Sequence, residues 1–222
     1  MLLALDTATE YAAIALYDGQ RVLGELNWRS QRRHTVELAP QVENLLRLSG
    51  ITPEQLTALA VSIGPGSFTG TRIALSYAKG IIAARDLPLI GVPTLDVLAY
   101  PVQPAFVPIC AMVAAGRGRY AWALYESQPL SKGFYLPTRT TPFMLGDIQA
   151  IMRELEPPIM FVGELDLRAR EYILSLWEED WADIITPALG VRRGAALAEL
   201  AWLHWQRGEV ADPTTLSPIY LS

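Results

Sequence analysis

Hydrophobic positions in the first half of the chain alternate between the two-residue period of strands and the wider spacing of amphipathic helices. The apolar runs that predict strands are LLALDTA, YAAIALYDG, RVLGELNW, LTALAVSIG and LPLIGV. Helical spacing predicts helices over 35–49 and 71–84, and a shorter helix over TLDVLAY. Pro40 fits the first helix only in its first turn, where its missing N–H would have no partner, and Gly50 ends that helix.

The second half repeats this order. Its predicted strands are AFVPICAMV, RYAWALYE, KGFYLPT, PIMFVGE and ADIIT, and its predicted helices cover 147–155, 167–177 and 191–207. The spacing agrees as well, because Asp6 precedes Tyr17 by eleven residues and Ala114 precedes Tyr125 by eleven. A duplicated βββαβα unit predicts an α/β, two-lobed, ribonuclease-H-like fold of the type shared by actin, sugar kinases and Hsp70.

Prolines mark the boundary between the two halves. Pro101, Pro104 and Pro108 interrupt regular structure after the first repeat. We therefore predict an N-terminal lobe over 1–100 and a C-terminal lobe over 101–222. A return of the C-terminal segment onto the first lobe is left open.

The charge of the chain limits its direct partners. The net charge of −5 argues against broad nucleic-acid binding, because no basic excess exists to displace counterions from phosphates. Arg29, Arg32 and Arg33 lie close in sequence, as do Arg117 and Arg119. Each group could form a local basic patch. For the first group, a solvated loop is the favoured interpretation.

Cysteine and histidine usage indicates compartment and cofactors. Cys110 is the single cysteine and lies in an apolar run, so it is expected to be a buried hydrophobe. The start of the chain reaches Asp6 too early for a signal-peptide core, and no run approaches the ~20 apolar residues of a membrane span. Leu38 stands where a second histidine would follow His34 on one helix face. We expect a cytoplasmic protein with no membrane span, metal site or intrinsic cofactor.

A glycine-rich turn, GPGSFTG, joins a predicted strand to a predicted helix. It fails the P-loop pattern, because five residues separate Gly64 from Gly70 and Thr-Arg follows where Lys-Ser/Thr is required. It also fails the dinucleotide-binding pattern, whose glycines are one residue closer. Ser67 or Thr69 can cap the helix, and free N–H groups at its start could receive an anion. The candidates for a nucleotide- or phosphate-facing site are Asp6, Thr7, Gly64, Gly66 and Ser67.

The first hairpin of each half decides whether catalysis is expected. In nucleotide-using members of this fold class, each of these hairpins supplies an acidic residue and a phosphate-facing turn. Here the first half has Asp6, but Ala114 stands at the matching position of the second half. An alanine neither coordinates magnesium nor orients a water, so self-sufficient phosphoryl transfer is not expected and no catalytic residue is assigned.

Four stretches resemble the TsaB (YeaZ) family: LALDTATEYAAIALYDG, HTVELAPQVENLL, GPGSFTGTRIALSYAKGI and IGVPTLDVLA. The similarity covers the first 100 residues, with GPGSFTG-x-R as its specific motif, and returns at the ending SPIYLS. The resemblance implies a duplicated two-lobed fold and a non-catalytic role beside TsaD, which forms threonylcarbamoyladenosine in tRNA.

The resemblance also implies partners. Family members pair with TsaD through helices of the N-terminal lobe, TsaE joins them, TsaC supplies threonylcarbamoyl-AMP, and the isolated protein forms a homodimer. ATP or ADP and a metal are expected on the partner subunits, and tRNA contact is expected only through the complex. The candidate partner interface consists of Leu38, Val42, Leu45, Ile73, Tyr77, Ile81 and Arg85.

The alternative is an ATP-dependent phosphoryl-transfer or hydrolytic enzyme of the same fold that uses Asp6, with Glu10 beside it at the first turn. Asp6 also has a structural interpretation, as an acceptor that fixes the turn over 7–9. Where many relatives have Asp-Ala-Arg followed by Gly-Glu-Val-Tyr, this chain has Ala-Ala-Gly at 114–116 and Gly-Arg-Tyr-Ala at 118–121. This departure argues against a nucleotide or tRNA role of the second lobe.

Overall fold

The computed structural model describes residues 1–31, 33–131, 133–178 and 181–221. These residues form two units. The first consists of Met1–Val97 and Arg193–Tyr220, and the second of Leu98–Arg192 together with Leu221. No helix in the described ranges is both long and apolar enough to cross a membrane.

The first unit is built on a five-stranded mixed sheet. Its strands are β1 (Leu2–Asp6), β2 (Tyr11–Tyr17), β3 (Val22–Arg29), β4 (Ala58–Ser62) and β5 (Leu89–Val92). Their spatial order is β3-β2-β1-β4-β5. The first three strands are antiparallel neighbours, whereas β4 and β5 run parallel to β1. Parallel neighbours need crossover connections, which the helices provide.

The helices of the first unit are α1 (His34–Ser49), α2 (Phe68–Arg85) and, from the end of the chain, α6 (Gly194–Gln206), and the division between the units falls within α3 (Thr94–Ala99). Leu3, Leu5 and Leu16 pack in one core with the apolar stripes of α1 and α2. Because side chains alternate along a strand, Tyr17 points to the other face, where its ring meets Trp202 of α6 edge-on. The sheet therefore lies between α1 and α2 on one face and α6 on the other.

Pro40 lies deeper in α1 than the sequence predicts. The helix begins at His34, so Pro40 occupies its second turn rather than its first. An ordinary residue there would donate its N–H to the carbonyl of Val36, and proline lacks this donor. Val36 is largely exposed, so its carbonyl lies on the side of the helix that water reaches.

The second unit repeats the sheet. Its strands are β6 (Ile109–Gly116), β7 (Arg119–Ser131), β8 (Phe134–Arg139), β9 (Met144–Asp147), β10 (Ile159–Gly163) and β11 (Ala182–Ile184), and its helices are α4 (Ile148–Glu154) and α5 (Leu167–Leu176). The strand order β8-β7-β6-β10-β11 repeats that of the first unit. The predicted duplicated α/β fold is confirmed.

Two features of the structure differ from the sequence pattern. Where the first sheet has the single strand β3, the second sheet has two strands, β8 and β9, which pair with successive parts of β7. The sequence pattern does not predict β9. The second is α6, which the boundary predicted at residue 100 would assign to the second lobe. Residues 193–220, including α6, instead lie in the first unit, which is the return of the C-terminal segment that the sequence left open.

Candidate functional site

The glycine loop, residues 63–67, joins β4 to α2 in the first unit. Gly64 has a φ of +92°, in the left-handed region that glycine tolerates best, and a cis peptide bond joins it to Pro65. Ser67 ends the loop and caps α2, since its Oγ accepts a hydrogen bond of 3.1 Å from the N–H of Gly70. The sequence-based cap assignment is thus correct for Ser67.

The first turn, residues 7–10, joins β1 to β2 and lies against this loop. The N–H of Ala8 donates to Oδ1 of Asp6 at 2.8 Å. The Thr7 hydroxyl donates to the carbonyl of Gly70 at 2.7 Å and accepts from the N–H of Ala74 at 3.1 Å. Asp6 and Thr7 are both buried. These bonds fasten the first turn to the opening of α2.

Glycine is required where the two segments touch. A Cβ on Gly66 would lie 2.3 Å from the carbonyl oxygen of Ala8, and a Cβ on Gly70 would lie 2.1 Å from that of Thr7. The N–H of Ser67 donates to the same Ala8 oxygen at 2.6 Å. Both glycines therefore allow backbone to approach backbone, and this explains them without a ligand.

The structure brings together the five residues considered as phosphate-facing. Asp6 and Thr7 lie in or beside the first turn, and Gly64, Gly66 and Ser67 lie in the facing loop. The amides of Ser67, Gly70 and Thr71 donate to the chain's own oxygen atoms. An anion would compete with these bonds, and the phosphate-facing assignment stays a prediction.

The C-terminal segment, residues 208–220, also packs against the glycine loop. The N–H of Ile219 donates to the carbonyl of Ile63 at 2.7 Å, and a Cβ on Gly64 would lie 2.9 Å from the Ile219 oxygen. Further along, the N–H of Ala211 donates to Leu89 of the edge strand β5 at 2.8 Å. Sequence reasoning missed these contacts because they join distant parts of the chain.

Three of the predicted interface residues are wrong for a surface role. Leu38, Val42 and Leu45 are 1%, 3% and 2% exposed and form the stripe of α1 that packs against the sheet. Helical spacing of apolar residues marks the face turned to the core as readily as a face turned to a partner.

The predicted residues on α2 are more accessible. Ile73, Tyr77 and Ile81 are partly buried at the margin of the core. Burial raises the pKa of Tyr77, and the negative charge of Glu43 raises it further. Arg85 donates to three backbone carbonyls before β4, those of Pro53, Glu54 and Leu56, so it also holds the fold together.

A cluster of side chains at the start of α2 was not identified from the sequence. Phe68, Arg72 and Tyr220 are in mutual contact, and all three are exposed. Tyr220 belongs to the SPIYLS ending, which carried only the family resemblance. The spacing of exposed and buried positions along α2 does not show which distant residue contacts Phe68 and Arg72.

The arginines considered for nucleic-acid contact belong to different units, Arg29 and Arg33 to the first and Arg117 and Arg119 to the second. Arg29 forms an ion pair with Glu10 at 3.0 Å, and Arg33 lies 3.9 Å from Glu37. Arg32 lies outside the described residues. Arg117 occupies the tip of the β6–β7 hairpin with a φ of +56°.

Histidine and cysteine have structural surroundings. Nε2 of the buried His34 donates to the carbonyl of Thr9 at 2.8 Å, which ties α1 to the first turn. Cys110 is fully buried, and this burial raises the pKa of its thiol. Within the described ranges, no three His, Cys, Asp or Glu side chains are grouped so that they could hold a metal ion.

Strand pairing corrects the residue matched to Asp6 in the second unit. Tyr17 lies opposite Leu2 and Tyr125 opposite Ile109, so four positions along the strand place Val113 at the Asp6 position. Val113 is buried like Asp6, whereas Ala114 is exposed. The β6–β7 hairpin is one residue longer than the β1–β2 hairpin, so the match to Ala114, which relied on equal spacing, is off by one residue. The matched position is apolar in either alignment.

Comparison with known proteins identifies several that are similar to this chain. A family model described as "TsaD: tRNA N6-adenosine threonylcarbamoyltransferase" matches residues 28–130. The tRNA threonylcarbamoyladenosine biosynthesis protein TsaB of Bacillus subtilis is 28% identical over 99% of this chain and 93% of its own length. That of Escherichia coli is 36% identical over 56% of this chain, a match that spans only 54% of the E. coli protein. The structure of YeaZ from Pseudomonas aeruginosa covers 99% of both chains at 26% identity with a TM-score of 0.80.

Proposed function

The chain belongs to the TsaB/YeaZ family, and from this premise we propose that it is a non-catalytic subunit that pairs with a TsaD-type transferase to form threonylcarbamoyladenosine in tRNA. In this assembly TsaC supplies threonylcarbamoyl-AMP and TsaE joins the two subunits. The partner subunits hold ATP or ADP and the metal, and tRNA meets this chain only within the complex. Such a role places the protein in the cytoplasm.

One observation carries the non-catalytic part of the proposal: the polar groups of the first turn serve the fold. Asp6 accepts from Ala8, and Thr7 bonds to Gly70 and Ala74, at the place where nucleotide-using relatives of the fold keep reactive groups. The matched position of the second unit is Val113, whose side chain has no acid–base or metal-binding chemistry. A subunit that stabilises a catalytic partner needs neither group.

The proposed docking surface lies along α2. Ile73, Tyr77 and Ile81 are half-buried there, so a partner can cover them without opening the core. Lys79 and Arg85 lie on the same helix, and the negative charge of Glu43 reaches Tyr77, so charged side chains of both signs border these apolar positions. In the absence of the transferase, a second copy of the chain is proposed to cover the same surface.

Reconstitution tests the proposal. The TsaD- and TsaE-type proteins of the same organism, unmodified tRNA and a source of threonylcarbamoyl-AMP are combined with and without this chain. We expect the modified nucleoside only when the chain is present, together with co-elution of the chain and the transferase. Equal product without the chain would contradict the proposal, as would product from the chain alone.

The enzymatic alternative makes a separate prediction. If Asp6 served phosphoryl transfer, the isolated chain would hydrolyse ATP, and Asp6→Asn would abolish the reaction without unfolding the protein. We expect no ATP turnover above a boiled control, because Asp6 is buried and engaged in the first turn. Phosphate release by the purified chain, followed with and without TsaD, separates the two functions.

A further inference from the structure

Phe68, Arg72 and Tyr220 form an exposed cluster at the N-terminal end of α2, and we call it the arginine cluster. The guanidinium carbon of Arg72 lies 3.8 Å from the centre of the Phe68 ring and 5.4 Å from that of Tyr220. Nε of Arg72 donates to the Tyr220 hydroxyl at 2.6 Å. The two rings are 57% and 45% exposed, with centres 4.9 Å apart.

These contacts fix Arg72 without using its terminal nitrogens. Stacking on Phe68 and the bond from Nε hold the guanidinium plane, and in the described part of the chain the two terminal nitrogens donate no hydrogen bond. A guanidinium held in this way loses little further freedom when it binds, and its planar fork matches a carboxylate. Because the Tyr220 oxygen accepts from a cation, its own proton points away from Arg72.

The charge of α2 indicates the sign of the partner. Between Phe68 and Arg85 the helix carries Arg72, Lys79 and Arg85 and no acidic residue, although the chain as a whole has a net charge of −5. Lys79 donates to the carbonyl of Leu216, and Arg85 donates to carbonyls before β4. These internal bonds leave Arg72 as the cation of α2 whose terminal donors face outward.

The cluster continues the proposed docking surface. Arg72 is followed on the same helix by the half-buried Ile73 and Tyr77, so a charged site borders an apolar one. Arginine and aromatic residues dominate the binding energy of many interfaces for this reason, since they combine contact area with directed hydrogen bonds. A second copy would bring its own cationic α2 to the surface, whereas an acidic partner complements it.

We propose that the arginine cluster receives a carboxylate side chain of the partner subunit, with Arg72 as its binding residue and Tyr220 as the residue that positions Arg72. The proposal rests on the proposed function for the identity of the partner as a TsaD-type subunit. It also gives the C-terminal segment a role, because that segment carries Tyr220 to the start of α2. The aliphatic neighbours of the carboxylate pack on the two rings.

Titration calorimetry of the full chain with the TsaD-type subunit tests the proposal. We expect Arg72→Ala to weaken binding by about 30-fold or more, the usual result of removing one partner of a buried charge pair. Arg72→Lys keeps the charge but not the fork and is expected to weaken binding by about tenfold. Tyr220→Phe keeps the ring and is expected to have a smaller effect, and raising the salt concentration should weaken the unaltered chain more than Arg72→Ala.

A matched control and a fold readout make the result specific. Arg153→Ala removes another exposed helical arginine, on α4 of the second unit, and should leave binding unchanged. Arg72→Lys should melt at the temperature of the unaltered chain, so its weaker binding would report the interface. Unchanged binding by both Arg72 variants would overturn the arginine cluster and leave the proposed function standing. Failure of the unaltered chain to bind would overturn both, and an effect on self-association alone would assign the surface to a second copy.

Discussion

At the scale of single residues, the glycines of GPGSFTG are explained by atoms far away in the sequence. Gly66 and Gly70 leave room for the carbonyl oxygens of Ala8 and Thr7, and Gly64 leaves room for that of Ile219. The motif is therefore a junction of three chain segments. A phosphate loop also uses glycines for close approach, so only the identity of the approaching atoms distinguishes the two.

Two glycines of α2 provide a matched test of this explanation. We expect Gly70→Ala to lower the free energy of unfolding by about 1–3 kcal/mol, because its Cβ would meet the Thr7 oxygen and the backbone must shift. Gly80→Ala meets nothing within 4 Å and should raise the free energy of unfolding by about 0.5–1 kcal/mol through helix propensity. Urea unfolding followed by circular dichroism measures both, and effects of the same sign would contradict the explanation.

At the scale of elements, periodicity predicted nearly every strand and helix, because each buries one face against a neighbour. It failed where the same signal has two meanings. Leu38 and Val42 match an interface stripe as well as a core stripe, and only the position of the sheet decides between them. It also missed β9, whose four residues are too few to show a period and lead directly into α4.

The start of α6 shows an anchor that no local pattern reveals. Glu25 of β3 accepts from the N–H of Ala195 at 3.1 Å and from two nitrogens of Arg193. Burial raises the pKa of Glu25, but these hydrogen bonds and the charge of Arg193 outweigh it, so the pKa lies below its ordinary value. A carboxylate at a helix N-terminus also satisfies the helix dipole.

This anchor makes stability depend on pH. Because the folded-state pKa of Glu25 is depressed, its contribution to stability is fully present above the ordinary glutamate pKa of about 4.3. That contribution is lost as the pH falls through the folded-state pKa. Glu25→Gln should cost about 1 kcal/mol at neutral pH and should flatten the acid limb of the stability curve. Glu10→Gln removes a surface pair with Arg29 and serves as control. An equal acid dependence in both variants would contradict the assignment.

At the scale of the whole molecule, the duplicated sheet order was readable from the sequence, whereas the path of the C-terminal segment was not. Both sheets have the same strand order because the two halves of the chain share the same succession of apolar runs. The apolar positions of residues 208–220 follow neither the strand nor the helix period, so the place where this segment packs depends on contacts that the pattern does not encode. Those contacts reach the edge strand β5, the glycine loop and α2, which are the parts of the first unit nearest the proposed docking surface.

Truncation of this segment should therefore act on one unit only. Removing the residues from Asp212 onward deletes the bond from Ile219 to Ile63, the packing of Leu216 against Gly91 and the tie from Lys79. We expect amide hydrogen exchange to rise in β4, β5 and the first turns of α2, because buried backbone there becomes accessible to water. Peptides from β10, β11 and α5 should keep their protection, since their core lies within the second unit. Exchange that rises equally in both units would show that the segment supports the whole chain, and unchanged exchange in β5 would show that the segment is dispensable there.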